Sequence, residues 1–196
     1  MQLSDPLDEI LRSRTHIRVL RALDGGPVDF GLSGREVARR AGVTHPSAAK
    51  ALHVLREQGL VLVERSPRSD EFRLNAEHLL AGAVRALFES EQGILNDLRD
   101  TLRSRLVHLG VRRAFLFGSV IRSAAGARSD IDLALEPPAG EAAEFASGLD
   151  RLRGAVRARF GNELSVMVKP ARASRRQEAL WRRLARDSVP IFDGPP

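Results

Sequence analysis

The sequence predicts an α+β protein with an N-terminal helical unit carrying a β-hairpin, a long connecting helix and a small C-terminal unit with a mixed sheet. Three observations predict this class. Apolar residues recur at helical spacing before residue 60, an apolar stripe without proline runs through residues 75–109, and short apolar strands alternate with helical segments after Gly110. The expected domains are therefore residues 1–74, 75–109 and 110–196.

The N-terminal unit is predicted to contain three helices and a hairpin. Ser33 and Glu36 form a capping box at the start of the second helix, and Thr44 can cap the third. Pro46 lies in the first turn of that third helix, where proline is tolerated. A turn rich in Ser, Pro and Asp separates two short apolar strands. The predicted helices cover residues 13–23, 33–42 and 44–59, and the predicted strands cover residues 60–63 and 72–74.

The connecting helix and the C-terminal unit are predicted from apolar patterns. Leucines and valines recur close to every 3.6 residues over residues 75–109, which predicts one long helix or two helices with a break near Gly93. After this segment, continuous apolar runs indicate buried strands and longer amphipathic stretches indicate helices. The predicted strands are residues 114–117, 131–135 and 164–168, and the predicted helices lie around residues 145–156 and over residues 175–187.

Composition excludes several classes of protein. The chain has no cysteine, which excludes thiol catalysis, disulfide bonds and cysteine-ligated metal sites. No apolar run approaches the length of about 18 residues that indicates a membrane span. The first residues are polar and lack the apolar run that is typical of a secretory signal. We therefore expect a cytoplasmic protein without membrane contact.

The chain is basic, with 31 basic and 25 acidic residues and a formal net charge of +6. A positively charged chain tends to meet polyanions, and nucleic acid is the first candidate. Lys50 and Lys169 are the only lysines, so the other 29 basic residues are arginine. A coding bias would produce the same excess, and it is the preferred explanation for the amount of arginine.

The order helix, short helix, turn, helix, hairpin is that of a winged helix-turn-helix. The segment GREVARRAGVTHPSAAKALHVLREQGLVLVERSPRSDEFRL resembles the winged-helix regulators of the ArsR and MarR type, and the resemblance covers about residues 13–74. It implies a role in transcription regulation, double-stranded DNA as partner and a two-fold homodimer. The long helix after the hairpin is a candidate dimer element, and packing against the C-terminal unit is the alternative.

The third helix is expected to read DNA with one face. Its apolar residues Ala48, Leu52 and Leu55 predict a buried side, while the opposite side is small, polar and cationic. Residues 33–68 contain seven basic and three acidic residues, which favours a polyanion partner. A winged helix that contacts protein is the alternative. The candidate DNA-binding residues are Arg39, Arg40, Thr44, His45, Ser47, Lys50, His53, Arg65 and Arg68.

The most specific pattern is FLFGSVIRSAAGARSDIDLALE in the C-terminal unit. A strand runs into Gly118 and Ser119, and Asp130 and Asp132 follow on the next strand. Residues two apart in a strand point to the same side, so both carboxylates are expected together, as ligands that Mg²⁺ prefers. Gly118 allows backbone to approach a ligand, and Ser119 can open a short helix whose N–H groups hold a phosphate.

This arrangement resembles the minimal nucleotidyltransferases of the DNA polymerase β superfamily, over about residues 95–194. The resemblance implies Mg²⁺ or Mn²⁺ and a nucleoside triphosphate (NTP) as ligands. Asp130 and Asp132 would then be catalytic metal ligands. Gly118, Ser119 and Arg122 would bind the nucleotide.

Two further candidate residues lie at the two ends of the third predicted strand of this unit. The superfamily has a third carboxylate at a position that Ser165 occupies in this sequence, and Glu163, two residues earlier on the same face, is the candidate replacement. Lys169, at the end of that strand, is a candidate ligand of the triphosphate. A third carboxylate from Glu163 favours catalysis, and Ser165 alone favours ligand binding without catalysis.

Three functional hypotheses follow. The first is a DNA-binding transcriptional regulator whose nucleotidyltransferase-like domain senses or uses NTP. The second is an active Mg²⁺-dependent nucleotidyltransferase that moves a nucleoside monophosphate to a protein, RNA or small-molecule acceptor and uses its winged helix for recruitment or autoregulation. The third is an inactive scaffold that uses both folds for protein contacts.

Overall fold

The computed structural model describes residues 6–26, 31–65, 69–121, 129–138, 142–170 and 172–193. The chain divides into two compact units, residues 1–92 and 93–196. Each unit has its own cluster of buried apolar side chains. Among the described residues, no helix has the length and hydropathy needed to cross a membrane.

The N-terminal unit contains the predicted three helices and hairpin, together with two short elements that the pattern did not predict, α1 and β1. Its small antiparallel sheet has the strand order β1-β3-β2. The elements are α1 (Pro6–Ile10), α2 (Arg14–Asp24), β1 (Leu32–Ser33), α3 (Gly34–Ala41), α4 (His45–Glu57), β2 (Val61–Arg65) and β3 (Asp70–Leu74).

Capping side chains define the starts of α3 and α4. The Ser33 half of the predicted capping box forms, whereas the Glu36 carboxylate is bonded to Arg39 and Arg40 instead. The Glu36 backbone N–H donates to Ser33 Oγ at 3.3 Å, and the Ser47 N–H donates to Thr44 Oγ1 at 3.4 Å. Between the helices, Gly42 ends α3 in the left-handed region at φ 61°. These signals place the start of α4 directly after a tight turn, which is the geometry of a helix-turn-helix.

A long helix, α5 (Ala81–His108), follows the hairpin and continues through Gly93 without a break. Val84 and Phe88 belong to the core of the N-terminal unit, whereas Leu102 and Leu106 belong to the core of the C-terminal unit. One helix therefore contributes apolar side chains to both units.

The C-terminal unit contains a mixed sheet, as the sequence predicts. Its described strands have the order β6-β5-β4-β7, in which β5 and β6 are parallel and the other neighbours are antiparallel. The elements are β4 (Arg113–Phe117), β5 (Ile131–Glu136), α6 (Ala142–Phe160), β6 (Leu164–Val168), α7 (Arg175–Asp187) and β7 (Val189–Asp193).

The sequence pattern did not predict β7. The strand begins directly after α7, and its second residue is Pro190, which argues against a strand in sequence-based assignment. In the structure β7 is the edge partner of β4, where a missing N–H is tolerated. Only the pairing with β4 makes this segment a strand.

Candidate functional site

The exposed face of α4 has the composition expected of a helix that lies against DNA. Ala48, Leu52 and Leu55 are buried in the N-terminal core, as predicted. The residues of the opposite side are all exposed, and they are His45, Pro46, Ala49, Lys50, His53 and Arg56. No ion pair is described for Lys50 or Arg56 in the described ranges, so both cations are available to a partner.

Two of the polar candidates, Thr44 and Ser47, form hydrogen bonds at the start of α4. Thr44 Oγ1 and Ser47 Oγ are hydrogen-bonded at 2.8 Å, and Thr44 also caps the helix. Thr44 is exposed and Ser47 is half-buried. Their hydroxyl groups therefore define the start of α4 and are close to any backbone phosphate that approaches it.

Arg39 and Arg40 are both bound to Glu36. The Arg39 Nε and Nη2 atoms donate to the Glu36 carboxylate at 2.8 and 2.6 Å, and Arg40 Nε donates at 2.8 Å. The hydrogen bonds from Arg39 and then Arg40 lower the pKa of Glu36 from 4.5 to about 2. One negative charge therefore offsets part of the positive potential that the sequence assigned to this end of α3.

We expect Glu36→Gln to change the pH dependence of stability. Because the folded-state pKa of Glu36 is lowered, its carboxylate stabilises the fold above about pH 4.5, and this contribution is lost as the pH falls towards 2. The gap in free energy of unfolding between wild type and variant should narrow over that window in urea titrations. Glu77→Gln removes an exposed carboxylate elsewhere and is the control. An equal pH profile for both variants would contradict the assignment.

A groove of about 710 Å³ lies between α4 and the hairpin. Its polar lining includes Arg35, His45, His53, Arg56 and the acidic Asp70, and Phe72 of β3 contributes an aromatic side chain. Arg35 was not among the candidates from the sequence. Its four-residue spacing from Arg39 on α3 was the available signal, because such residues share a helix face.

The hairpin contributes one described candidate. Arg65 is exposed at the end of β2 and lies opposite Asp70 of β3. Arg68 lies outside the described residues. Of the predicted hairpin candidates, Arg65 is therefore described, and an acidic residue lies across from it.

Comparison with known proteins agrees with this geometry. Residues 12–69 match the model of the MarR family. The N-terminal region is a MarR-family winged helix-turn-helix domain. This match runs from just before α2 to the residue before β3, and so includes the exposed face of α4. No curated protein matches the chain.

Several solved structures resemble part of the chain. The transcriptional repressor BigR from Xylella fastidiosa is 27% identical over 43% of this chain and 81% of its own, with a TM-score of 0.37. The S. aureus MepR–DNA complex is 19% identical over 50% and 85%, with a TM-score of 0.36. The repressor CouR bound to a 23-mer DNA duplex is 27% identical over 53% and 80%, with a TM-score of 0.33. Assignment of the winged helix-turn-helix domain rests on the family match.

A second candidate site lies at one end of the C-terminal sheet. Phe117 of β4 pairs with Asp132 of β5, and Asp132 pairs with Ser165 of β6. Asp130 is exposed and lies just before β5, two residues from Asp132. The sheet register therefore brings the turn after β4, two aspartates and the start of β6 to one end of the unit.

Gly118 is required by the position of Asp132. It has φ 81°, and a Cβ atom built on it would lie 3.0 Å from Asp132 Cγ. Residues 118–121 form a turn that includes the half-buried Ser119, and Arg122 lies outside the described residues. The missing side chain at Gly118 thus makes room for a carboxylate beside the turn, an arrangement that fits two oxygen ligands of a divalent cation.

Glu163 is near the two aspartates along the backbone but is bonded elsewhere. Its carbonyl oxygen accepts from the Ile131 N–H at 2.8 Å, which places it level with Asp130. Its side chain is exposed and forms an ion pair with Arg157 at 2.9 Å. Among the described residues there is no cluster of three histidine, aspartate or glutamate side chains that could hold a metal.

Lys169 lies at the other end of the sheet. Its backbone N–H donates to Leu135 O, which is about 10 Å along β5 from Asp132. The Lys169 ammonium group is bonded to Glu136 at 2.9 Å and to Glu178 at 3.3 Å, and the bond to Glu136 raises the pKa of Lys169. The structure therefore does not bring Lys169 to the aspartates, because β6 carries it away from them.

Proposed function

We propose that the protein is a DNA-binding transcriptional regulator whose C-terminal unit binds a nucleotide together with Mg²⁺ or Mn²⁺. The observation that carries the DNA-binding part is the MarR-family match over residues 12–69 together with the exposed, cationic face of α4. Lys50 and Arg56 extend from this face, and a helix of this kind enters the major groove of duplex DNA.

The contacts of the DNA-binding domain divide into two kinds. His45, Lys50 and His53 lie on the exposed face of α4, where side chains reach base edges and neighbouring phosphates. Arg65 in the hairpin and Arg35 at the start of α3 flank this face and supply phosphate contacts. Phosphate contacts set the position of the domain, and the α4 side chains select the sequence.

A homodimer is part of the proposal. Leu87, Ile94 and Leu95 of α5 are 46–58% exposed and lie within a sector of about 100° around the helix. Packing this stripe against a second copy would remove apolar surface from water. A two-fold dimer would also let two α4 helices contact half-sites about one helical turn apart.

The nucleotide-binding part rests on the sheet end that contains Gly118, Asp130 and Asp132. Gly118 makes room for the Asp132 carboxylate next to the turn of residues 118–121, and backbone N–H groups of a turn can hold a phosphate beside a metal ion. When bound, the cation would neutralise phosphate charge. Ser165 opposite Asp132 and the pairing of Glu163 with Arg157 favour sensing over nucleotidyl transfer.

Regulation would proceed through α5, which has side chains in both cores. A nucleotide can shift DNA affinity only if it binds more tightly to one of two conformations. The alternative, transfer of a nucleoside monophosphate to a protein or RNA acceptor, would appear as covalent label on that acceptor.

The DNA-binding part is tested with the variant Lys50→Gln/Arg56→Gln. A duplex selected from a random library by the full chain should bind this variant about 30- to 1,000-fold more weakly, because each of the two lost contacts is worth about 1–2 kcal/mol. The control Arg12→Gln/Arg14→Gln removes the same charge from exposed positions in the same unit. Equal affinities for the two double variants, measured by fluorescence anisotropy, would contradict the assignment of α4 as the DNA-contacting helix.

A further inference from the structure

The two units differ in net charge. Residues 1–92 contain 13 basic and 13 acidic residues, whereas residues 93–196 contain 18 basic and 12 acidic residues. The entire excess of +6 therefore belongs to the C-terminal unit. The positive segment 33–68 that the sequence analysis singled out is balanced by acidic residues elsewhere in its own unit.

Helix α7 concentrates this charge on one face. Its five arginines fall within a sector of about 120° when residues are placed 100° apart, and all five are exposed. The set is Arg175, Arg176, Arg182, Arg183 and Arg186. From first to last it spans about 16 Å along the helix axis. A coding bias explains how much arginine a chain contains, but not its collection on one face of one helix.

The arginine face is largely unpaired. In the described part of the chain, Arg175, Arg176 and Arg182 form no ion pair. Arg183 and Arg186 share Asp187, at 3.5 and 3.0 Å, and both side chains remain 76% exposed. Holding so many like charges together without partners costs free energy through repulsion, and a polyanion would remove that cost.

The apolar face of α7 is mostly covered. Trp181 is 5% exposed and Leu184 is half-buried, while Leu180 is 45% exposed. An amphipathic helix that inserts into a lipid surface needs a free apolar face. With Trp181 packed inside the unit, Leu180 alone is too small an apolar surface for insertion, which favours a rigid array of phosphates over a membrane.

We propose that the arginine face of α7 binds the phosphate backbone of duplex DNA without reading its sequence. Over 16 Å, B-form DNA carries about ten phosphates, enough to meet all five guanidinium groups. Planar guanidinium groups bind phosphate oxygens in pairs. This contact rests on the proposed DNA-binding function and adds a second surface to it. The winged helix-turn-helix domain selects the sequence, and α7 supplies affinity for any duplex.

The test compares two full-length variants with equal charge. Arg175→Gln, Arg176→Gln, Arg182→Gln and Arg183→Gln together remove most of the α7 face, and glutamine keeps helix propensity. The control removes four exposed arginines from α5, α6 and the segment before β4, namely Arg103, Arg105, Arg112 and Arg151. Affinity for a random-sequence duplex of about 30 base pairs is measured at salt concentrations from about 50 to about 200 mM.

The α7 variant should lose about three to four units of the slope of log K against log salt, because each phosphate contact contributes about 0.9. Over that salt range, the wild type should then lose roughly 150-fold more affinity than the variant. The control should lose much less slope. Replacing the same four arginines by lysine should retain most of the slope, which separates loss of charge from loss of folding.

The outcomes separate this proposal from the proposed function. Equal slopes for the α7 variant and the control would overturn the α7 contact, while a preference for a selected duplex would leave the α4 assignment intact. A slope reduced only in the α7 variant would support the α7 phosphate contact. If the wild type also showed no sequence preference, the proposed function as a sequence-specific regulator would be contradicted. Tighter binding of the α7 face to single-stranded RNA or to phosphatidylserine vesicles than to duplex would also overturn the proposal.

Discussion

Gly118→Ala should lower the free energy of unfolding of the C-terminal unit by about 3 kcal/mol. About 1 kcal/mol comes from a side chain at φ 81°, and about 2 kcal/mol from the close approach of the new Cβ to Asp132. Urea unfolding followed by circular dichroism measures the change. The expected result links the glycine of the turn directly to the carboxylate beside it.

Gly161→Ala is a matched control for this effect. Gly161 has φ 75°, close to that of Gly118, but a Cβ at this position would meet nothing within 4 Å. Gly161→Ala should therefore lower the free energy of unfolding only through the strained backbone conformation, by about 1 kcal/mol. In an Asp132→Ala background, Gly118→Ala should cost no more than Gly161→Ala, because the crowded carboxylate is gone. An unchanged cost in that background would show that Asp132 is not what requires the glycine.

Asp130→Asn/Asp132→Asn should abolish stabilisation by Mg²⁺ and nucleotide. A ligand at about 100 times its dissociation constant stabilises the folded state by about 2.7 kcal/mol, which raises the Tm of the wild type. Loss of both carboxylate charges removes the hard oxygen ligands on which the cation depends. We expect the shift in Tm with ATP, GTP, CTP or UTP plus Mg²⁺ to disappear in the variant.

The control for the carboxylate pair is Glu144→Gln/Asp150→Asn, which neutralises two exposed acidic residues of α6. It should keep the full shift in Tm. An equal shift in both double variants would place the ligand elsewhere or show binding without these aspartates. The same samples, with labelled triphosphate and candidate protein or RNA acceptors, test transfer. Label that is covalently bound in wild type and absent in the aspartate variant would support the alternative, an active nucleotidyltransferase.

The two sites differed in how far the sequence could predict them. The face of α4 followed from helical phase alone, since Leu52 and Leu55 define the buried side and Lys50 then lies opposite. Local signals also predicted the caps at Ser33 and Thr44, because a capping hydrogen bond joins residues three apart. These features depend on neighbours in the chain, which a sequence displays directly.

Contacts between side chains of different elements could not be predicted from the sequence in this way. The alternation of residues predicts Asp130 and Asp132 on one side of the chain, but the bonding of Glu163 to Arg157 depends on how α6 approaches β6. The sequence analysis gives Lys169 as a candidate ligand of the triphosphate, whereas in the structure it is bonded to Glu136 and Glu178. Arg39 and Arg40 likewise share Glu36, so that their charge is partly neutralised.

By itself, the sequence determined the order of the longer elements, the residues that cap α3 and α4, the buried face of α4 and the two-residue spacing of Asp130 and Asp132. These follow from interactions between residues a few positions apart. The tertiary structure alone decided that β7 is an edge strand, that Asp132 occupies the space beside Gly118 and that the arginine face of α7 stays exposed while Trp181 is buried. Each depends on which distant segment packs against it, and periodicity along a chain does not encode that choice.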